Sequence, residues 1–334
     1  MRLLIISLFT LIFYTTVFSQ GCCSGGAGSP IAGGAATGVL QENQMEISIN
    51  YQNNSSNKFF TENRDTTSLF NNLNSDYLFF RVDYGLSKKL TLSVASGYFL
   101  DKSKIGKDNS DTISSTGVGD LIIFPRYSIY NKTANFKRTA VVIGLGLKIP
   151  LGSHNDTTNL GSNGIDNYQM KPPMLQATNG SQDLMFNSFF FREYQKSKLR
   201  LFISSLYVKK GYNSLGVKYG DYTSVGFFAS KTFFYRWGVT AQLKYENIDQ
   251  IKVANNIEEW ELLEYSIIPE STGSKKWFFI PQLSYSKNGL TVYATSEIPI
   301  YQYLNGTQIG SQNQFTVGVN YRFLTKKCKD PAFN

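Results

Sequence analysis

The chain has 334 residues, 42% of them hydrophobic and 15% aromatic, with Tyr and Phe far outnumbering Trp. A mean hydropathy of −0.22 argues against a bundle of spanning helices, each of which needs about 20 mostly apolar residues. The formal net charge is +9, but Lys and Arg are scattered over turns and alternate strand positions. There is no basic helix or RNP-like motif, so nucleic acid is not an expected partner.

Residues 1–19 read as a secretory signal peptide. Arg2 gives the positive start, residues 3–17 the apolar run, and Val17-Phe18-Ser19 a small-residue cleavage pattern before Gln20. Residues 20–43 are rich in Gly, Ala and Ser and have no period. They fit a flexible periplasmic leader or a small plug entering a barrel mouth. Cys22, Cys23 and Cys328 are odd in number and two are adjacent, which is not a disulfide framework. Lipidation at Cys22 and a pair between the leader and Cys328 both stay open. No His or further Cys stands near Cys22 and Cys23 to complete a metal site.

From residue 44 to 323 about twelve segments alternate in polarity, as strands with one apolar face do. Met45, Ile47, Ile49 and Tyr51 oppose Glu46, Ser48, Asn50 and Gln52. Leu78, Phe80, Val82 and Tyr84 oppose Arg81 and Asp83, and Leu90, Leu92, Val94 and Tyr98 oppose Thr91, Ser93 and Gly97. Residues 183–192 and 199–208 alternate less well. Trp237, Val239, Ala241, Leu243 and Tyr245 oppose Thr240, Gln242, Lys244 and Glu246. Leu290, Val292, Ala294 and Ile298 oppose Thr291, Thr295 and Glu297. The last segment, 314–323, sets Phe315, Val317, Val319, Tyr321 and Phe323 against Thr316, Gly318, Asn320 and Arg322. It resembles the aromatic-ending strand that barrel assembly machinery reads, although residues 324–334 continue past it as a periplasmic tail.

Connector length alternates strictly. Short links fall at 85–89, 131–137, 194–198, 233–235 and 287–289, with Asn288-Gly289 a tight-hairpin signal. Long ones fall at 53–75, 101–119, 151–182, 209–220, 247–275 and 301–313. Outer-membrane barrels have this rhythm of short periplasmic turns and long external loops. The first and last connections are long, which puts both chain ends in the periplasm. A secreted β-sandwich also alternates, but its strands are shorter and lack aromatics recurring at strand ends, here Tyr51, Tyr84, Tyr98, Tyr127, Tyr207, Tyr245, Tyr285 and Tyr321, with Trp237 and Trp277. The expected fold is all-β: a transmembrane antiparallel barrel of about twelve strands over 44–323, held in outer-membrane lipid.

Two stretches carry a family resemblance. Gly117-Val118-Gly119-Asp120 opens one strand, and Gly144-Leu145-Gly146-Leu147-Lys148-Ile149-Pro150-Leu151-Gly152 closes the next. This resembles the Gly-x-Gly-Asp hairpin and "Lys-x-Pro-x-Gly" strand end of the outer-membrane family named for the meta-pathway of phenol degradation. Leu151 departs from the usual Thr. The resemblance covers roughly 115–152 and implies a barrel that passes small, often hydrophobic or aromatic, solutes. Its motif residues are Gly117, Gly119, Asp120, Gly144, Gly146, Pro150 and Gly152.

The candidate lumen path is Arg81, Asp83, Asp120, Arg126, Lys148, Lys244, Glu246, Glu297 and Arg322, a mixture with neither sign forming a ring. Gly144 and Gly146 clear space in the lumen or let the strand bend. Pro125 and Pro281 fall mid-strand on the lipid face and Pro299 near a strand end. Proline cannot donate to a ladder, so a bulge or a lateral gap for hydrophobic solutes follows. The only histidine, His154, sits beside Ser153 in a Gly/Asn/Asp-rich loop, a poor setting for a lipase or a carboxylate protease. Residues 257–264 could form a short amphipathic helix, a lid or surface decoration. The expected function is a channel or facilitator for small solutes, with no cofactor. The alternatives are a structural or partner-binding surface barrel and, less favoured, an outer-membrane enzyme.

Overall fold

The computed structural model describes residues 38–107, 112–159, 161, 166–257 and 267–326. The expected signal peptide, all three cysteines, most of the expected leader, nearly all of the 257–264 segment and most of the tail lie outside the described residues. Twelve long strands form the wall: β1 Gln44–Ser56, β2 Asn72–Gly85, β3 Leu90–Ile105, β4 Asp120–Ala134, β5 Lys137–Pro150, β6 Asp183–Tyr194, β7 Leu199–Lys209, β8 Tyr222–Phe233, β9 Trp237–Ile248, β10 Ser274–Lys287, β11 Leu290–Ile309 and β12 Gln314–Leu324. Each pairs antiparallel with its sequence neighbours. The sheet closes where β1 meets β12, from Gln44↔Leu324 to Asn53↔Phe315. Closure leaves the wall no open edge, which a spanning sheet requires because lipid offers no hydrogen-bond partners.

The outer face carries the apolar set the alternation placed there. Ile47, Ile49, Phe80, Val82, Val94, Ile143, Leu145, Leu147, Phe227, Val239, Leu283, Val292, Val317 and Val319 all stand exposed. Soluble domains do not present a continuous apolar belt. On β9 and β10 aromatic pairs bracket it: Trp237 with Tyr285 at 5.0 Å toward the short turns, Tyr245 with Trp277 at 5.1 Å toward the long loops. Eight residues separate the pairs along β9. At ~3.3 Å per residue that is about 26 Å of strand, and tilt brings it near the height of an outer-membrane apolar band. The chain is an outer-membrane barrel.

Two connections differ from the expected boundaries. The link at 131–137 shrinks to Asn135 and Phe136, because β4 and β5 pair on as far as Ala134↔Lys137. Both turn residues adopt positive φ (51° and 58°), as does Asn288 before Gly289 (51° and 81°), the left-handed pair that a two-residue hairpin needs. The long connection at 301–313 is largely strand. β11 leaves β12 after Glu297↔Gln314, runs on beside β10, and pairs at Leu304–Ile309 with Phe59–Glu62 of the first long loop. The last barrel hairpin therefore stands above the rim and braces that loop.

The interior departs further from expectation. Inward positions are polar at both ends, but the middle is packed with Tyr77, Phe79, Phe99, Ile122, Phe124, Met185, Leu206 and Val208. The lumen glycines are slots for these rings. A Cβ at Gly144 would sit 2.6 Å from Phe124 Cζ, and Gly146 lies under the same ring. Tyr77 lies over Gly97, and Tyr293 over Gly318. Space cleared by the missing side chains is thus filled across the strand pair, the aromatic–glycine device that pins register in curved sheets. A twelve-stranded barrel falls between eight strands, which side chains can fill, and sixteen, which leave an aqueous channel. Here the middle is filled.

Candidate functional site

The charged lumen residues divide into three groups, one near the short-turn end and two toward the loop end. Near the short-turn end, Asp83 bridges Arg81 (2.9 Å) and Arg126 (3.0 Å), and Arg81 also reaches Glu46 at 3.4 Å. Ser93 donates to Asp83, and Arg322 pairs with Glu46. Arg81 and Asp83 are 1% and 0% exposed. Asp120 does not join them. It pairs with Lys148 toward the loop end of the barrel, where Lys148 and Lys210 share Asp183 at 3.6 and 2.8 Å. On the opposite wall Lys244 binds Glu297 (2.6 Å) and Glu246 (3.4 Å), and Tyr222 donates to Glu246 at 3.0 Å. Every predicted lumen residue is inward and charge-paired. Asp183, Lys210 and Lys276 belong to the same interior and were missed. Asp183 and Lys276 lie on the polar side of imperfectly alternating strands, and Lys210 lies one residue past a strand end.

Among the described residues, loop 151–182 narrows the mouth. Residues 175–178 turn inward and are buried, and Ala177 packs with Tyr77 and Phe99. Lys102 donates to the Gln176 carbonyl at 2.6 Å and Lys171 to Ser115 Oγ at 3.0 Å, tying the loop to the β3 wall and its hairpin partner. Gly152 and Thr178 close its neck, with Thr178 Oγ1 donating to the Gly152 carbonyl at 2.9 Å. Of the motif glycines, Gly117 has φ +155° and lies against Ala177, while Gly119 donates to the Gly97 carbonyl at 2.8 Å. Pro150 ends β5, paired with Asp120.

Two cavities lie at opposite ends. The external one, about 260 Å³, has mostly apolar walls that include Phe59, Phe70, Ile248, Ile267 and Ile309, with Lys210 and Lys276 also lining it. The other, about 190 Å³, is polar, lined by Arg126, Arg138, Arg200, Arg322, Asp83 and Glu193. Val39 and Leu40 also line it, Val39 packing near Phe189 and Phe202, and Leu40 N–H donating to Thr91 Oγ1 at 2.7 Å. Residues 39 and 40 thus enter the short-turn mouth. Phe79, Phe124, Met185 and Leu206, all under 5% exposed, lie between the two cavities along the strands.

Burial first, then repulsion from Lys148, pulls the Lys210 ammonium from 10.5 down to about 8 despite Asp183. Asp221 lies in the same loop. Burial alone would raise its carboxyl, but the Lys210 N–H (2.8 Å), the Tyr207 hydroxyl (3.0 Å) and Lys218 (3.3 Å) hold it below the usual range. Because the folded Lys210 value lies below the unfolded one, the unfolded chain binds more protons between them. The destabilisation is full below about pH 8 and fades as pH rises toward about 10.5. Stability of the wild type relative to Lys210→Met should therefore rise over that window in urea titrations; a flat or falling difference would contradict the assignment.

The prolines sit where the sequence put them. Pro125 and Pro281 face outward, and each interrupts one ladder. The β4–β5 register passes from Ile123↔Leu147 to Arg126↔Gly144, skipping Phe124 and Pro125. The β10–β11 register passes from Phe279↔Ile298 to Gln282↔Thr295, skipping Ile280 and Pro281. Their other sides stay paired, at Leu92↔Pro125 and Ala241↔Pro281. Pro281 lies midway between Trp277 and Tyr285, at the middle of the apolar band. Pro299 is opposite Phe278 beside a bulge that makes Ile300 the extra residue.

His154 is brought to Ser214, not Ser153: its Nε2 lies 2.8 Å from Ser214 Oγ in an exposed contact. Ser153 donates instead to Asp156 at 2.5 Å. No group of three or more His, Cys, Asp or Glu able to hold a metal occurs among the described residues.

No family model matches the chain, and no curated protein does. Among solved structures it is similar to the COG4313 outer membrane channel from Pseudomonas putida F1, with TM-score 0.63 at 11% identity over 87% of this chain and all of that one. It is more distantly similar to the NanC porin, TM-score 0.42 at 12% identity over 83% and 98% of the two chains. A Pseudomonas aeruginosa FadL homologue gives 0.40 at 9% identity over 91% and 98%. At these identities the likeness shows the fold.

Proposed function

We propose that this barrel is a facilitator for small, weakly polar or aromatic solutes that leave through its wall, not a water-filled porin. The observation that carries the reading is the apolar external cavity set above an apolar lumen core, with the wall ladder interrupted at mid-membrane beside Pro281. The external cavity is mostly apolar and leads onto an apolar lumen core, and a broken ladder between β10 and β11 offers the direct way into lipid. The shared fold with an outer-membrane channel and the partial likeness to the phenol meta-pathway family at 115–152 support the same reading. Proteoliposomes bearing the chain should take up toluene or a similar single-ring solute faster than protein-free vesicles, with glucose entry unchanged. Equal uptake with and without protein would favour the second reading, a structural barrel, which the filled middle of the lumen also suits.

A further inference from the structure

The external cavity has a feature that passage of a neutral solute does not use. Of the two lysines on its wall, Lys210 is neutralised by Asp183 at 2.8 Å. Lys276 has no ion pair of that kind among the described residues. It is 4% exposed, lies on the lumen face of β10, and makes no side-chain ion pair or hydrogen bond among the described residues. Its cross-strand neighbour Glu246 is engaged elsewhere, by the Tyr222 hydroxyl at 3.0 Å and Lys244 at 3.4 Å. The other acid on the wall, Asp249, is exposed and accepts from Asn247 Nδ2 at 3.0 Å. A buried ammonium with no direct partner among the described residues is a docking point for something that brings a carboxylate.

The walls limit what that something is. Phe59, Phe70, Ile248, Ile267 and Ile309 offer a bare inorganic anion nothing but desolvation. The cavity, about 260 Å³, exceeds the ~150 Å³ that holds benzene in an apolar protein interior, so one ring with a carboxyl group fits. We propose that it binds a small amphipathic carboxylate, the apolar body against these walls and the carboxylate on Lys276. This rests on the facilitator reading for its purpose, naming the substrate class, but it concerns equilibrium binding and is tested without flux.

The probe is benzoate, titrated calorimetrically and by thermal unfolding into the detergent-solubilised chain, with benzyl alcohol as the uncharged comparator. Benzoate should bind saturably and raise the unfolding temperature. Lys276→Met should weaken benzoate by about tenfold or more, the effect of one charged hydrogen bond, and leave benzyl alcohol within about twofold. Lys276→Arg should retain binding, which guards against misfolding as the cause. The proposal is overturned by absent benzoate saturation in the wild type, or by equal affinity in Lys276→Met. Either can occur while toluene uptake persists, so loss of this proposal is distinguishable from loss of the facilitator reading.

Discussion

Replacing Asp83 with Leu is expected to destabilise the barrel by about 3–5 kcal/mol, because it strands two buried guanidinium groups in the lumen. Arg81 at 2.9 Å and Arg126 at 3.0 Å both depend on this carboxylate, and Asp83 is 0% exposed. Glu46 at 3.4 Å from Arg81 is already shared with Arg322 and cannot compensate both. The same loss is not expected at the edge of the cluster. The Arg322 side chain is 40% exposed, so Arg322→Gln should cost no more than about 1 kcal/mol after solvent screening. Urea unfolding in lipid vesicles measures both. Adding Arg126→Met to the Asp83 variant should recover part of the loss, since it removes one stranded charge. Equal effects at Asp83 and Arg322 would mean that the network is not a buried unit.

The second large effect is functional. Pro125→Val together with Pro281→Val supplies the two missing ladder donors, each worth about 0.5–1.5 kcal/mol. The double variant should resist urea slightly better than the wild type and lose uptake of a single-ring hydrocarbon nearly to the rate of protein-free vesicles. Pro281→Val alone should carry most of that loss. Phe124, 0% exposed, already fills the inner side of the Pro125 interruption, whereas Pro281 faces Ser296 and Glu297 on a strand that is bent just beyond. Uptake unchanged in the double variant would contradict exit through the wall.

The barrel was legible in the sequence because its determinants are local. Strand polarity has a period of two, connector parity is a matter of counting, and Asn288-Gly289 is its own turn signal. The charged lumen residues were legible for the same reason, since a charge on a strand with one apolar face can only point inward. Their partners were not. Asp83 pairs with Arg126 across β3, and Lys148 reaches Lys210 only through Asp183, contacts that no spacing encodes. The filled lumen was hidden for a further reason. In β2 the run Tyr77-Leu78-Phe79-Phe80 is apolar on both faces, so the outward set stands out and the inward one does not. β6 and β7 alternate poorly for that same cause, with Phe189 and Phe202 inward beside outward Phe190 and Ile203. Gly144 and Gly146 look like cleared space until Phe124, on the neighbouring strand, is set over them. The inward turn of loop 151–182 depends on Lys102 finding the Gln176 carbonyl, 74 residues away in the chain.

Planar-bilayer recording of the purified chain, after its heat-modifiable migration confirms folding, tests the central claim most directly. With Phe79, Phe124, Met185 and Leu206 filling the middle of the lumen, the account predicts no large sustained conductance steps from a preparation that still accelerates toluene uptake. Discrete, ohmic, porin-sized steps would show a water-filled axial path and contradict it.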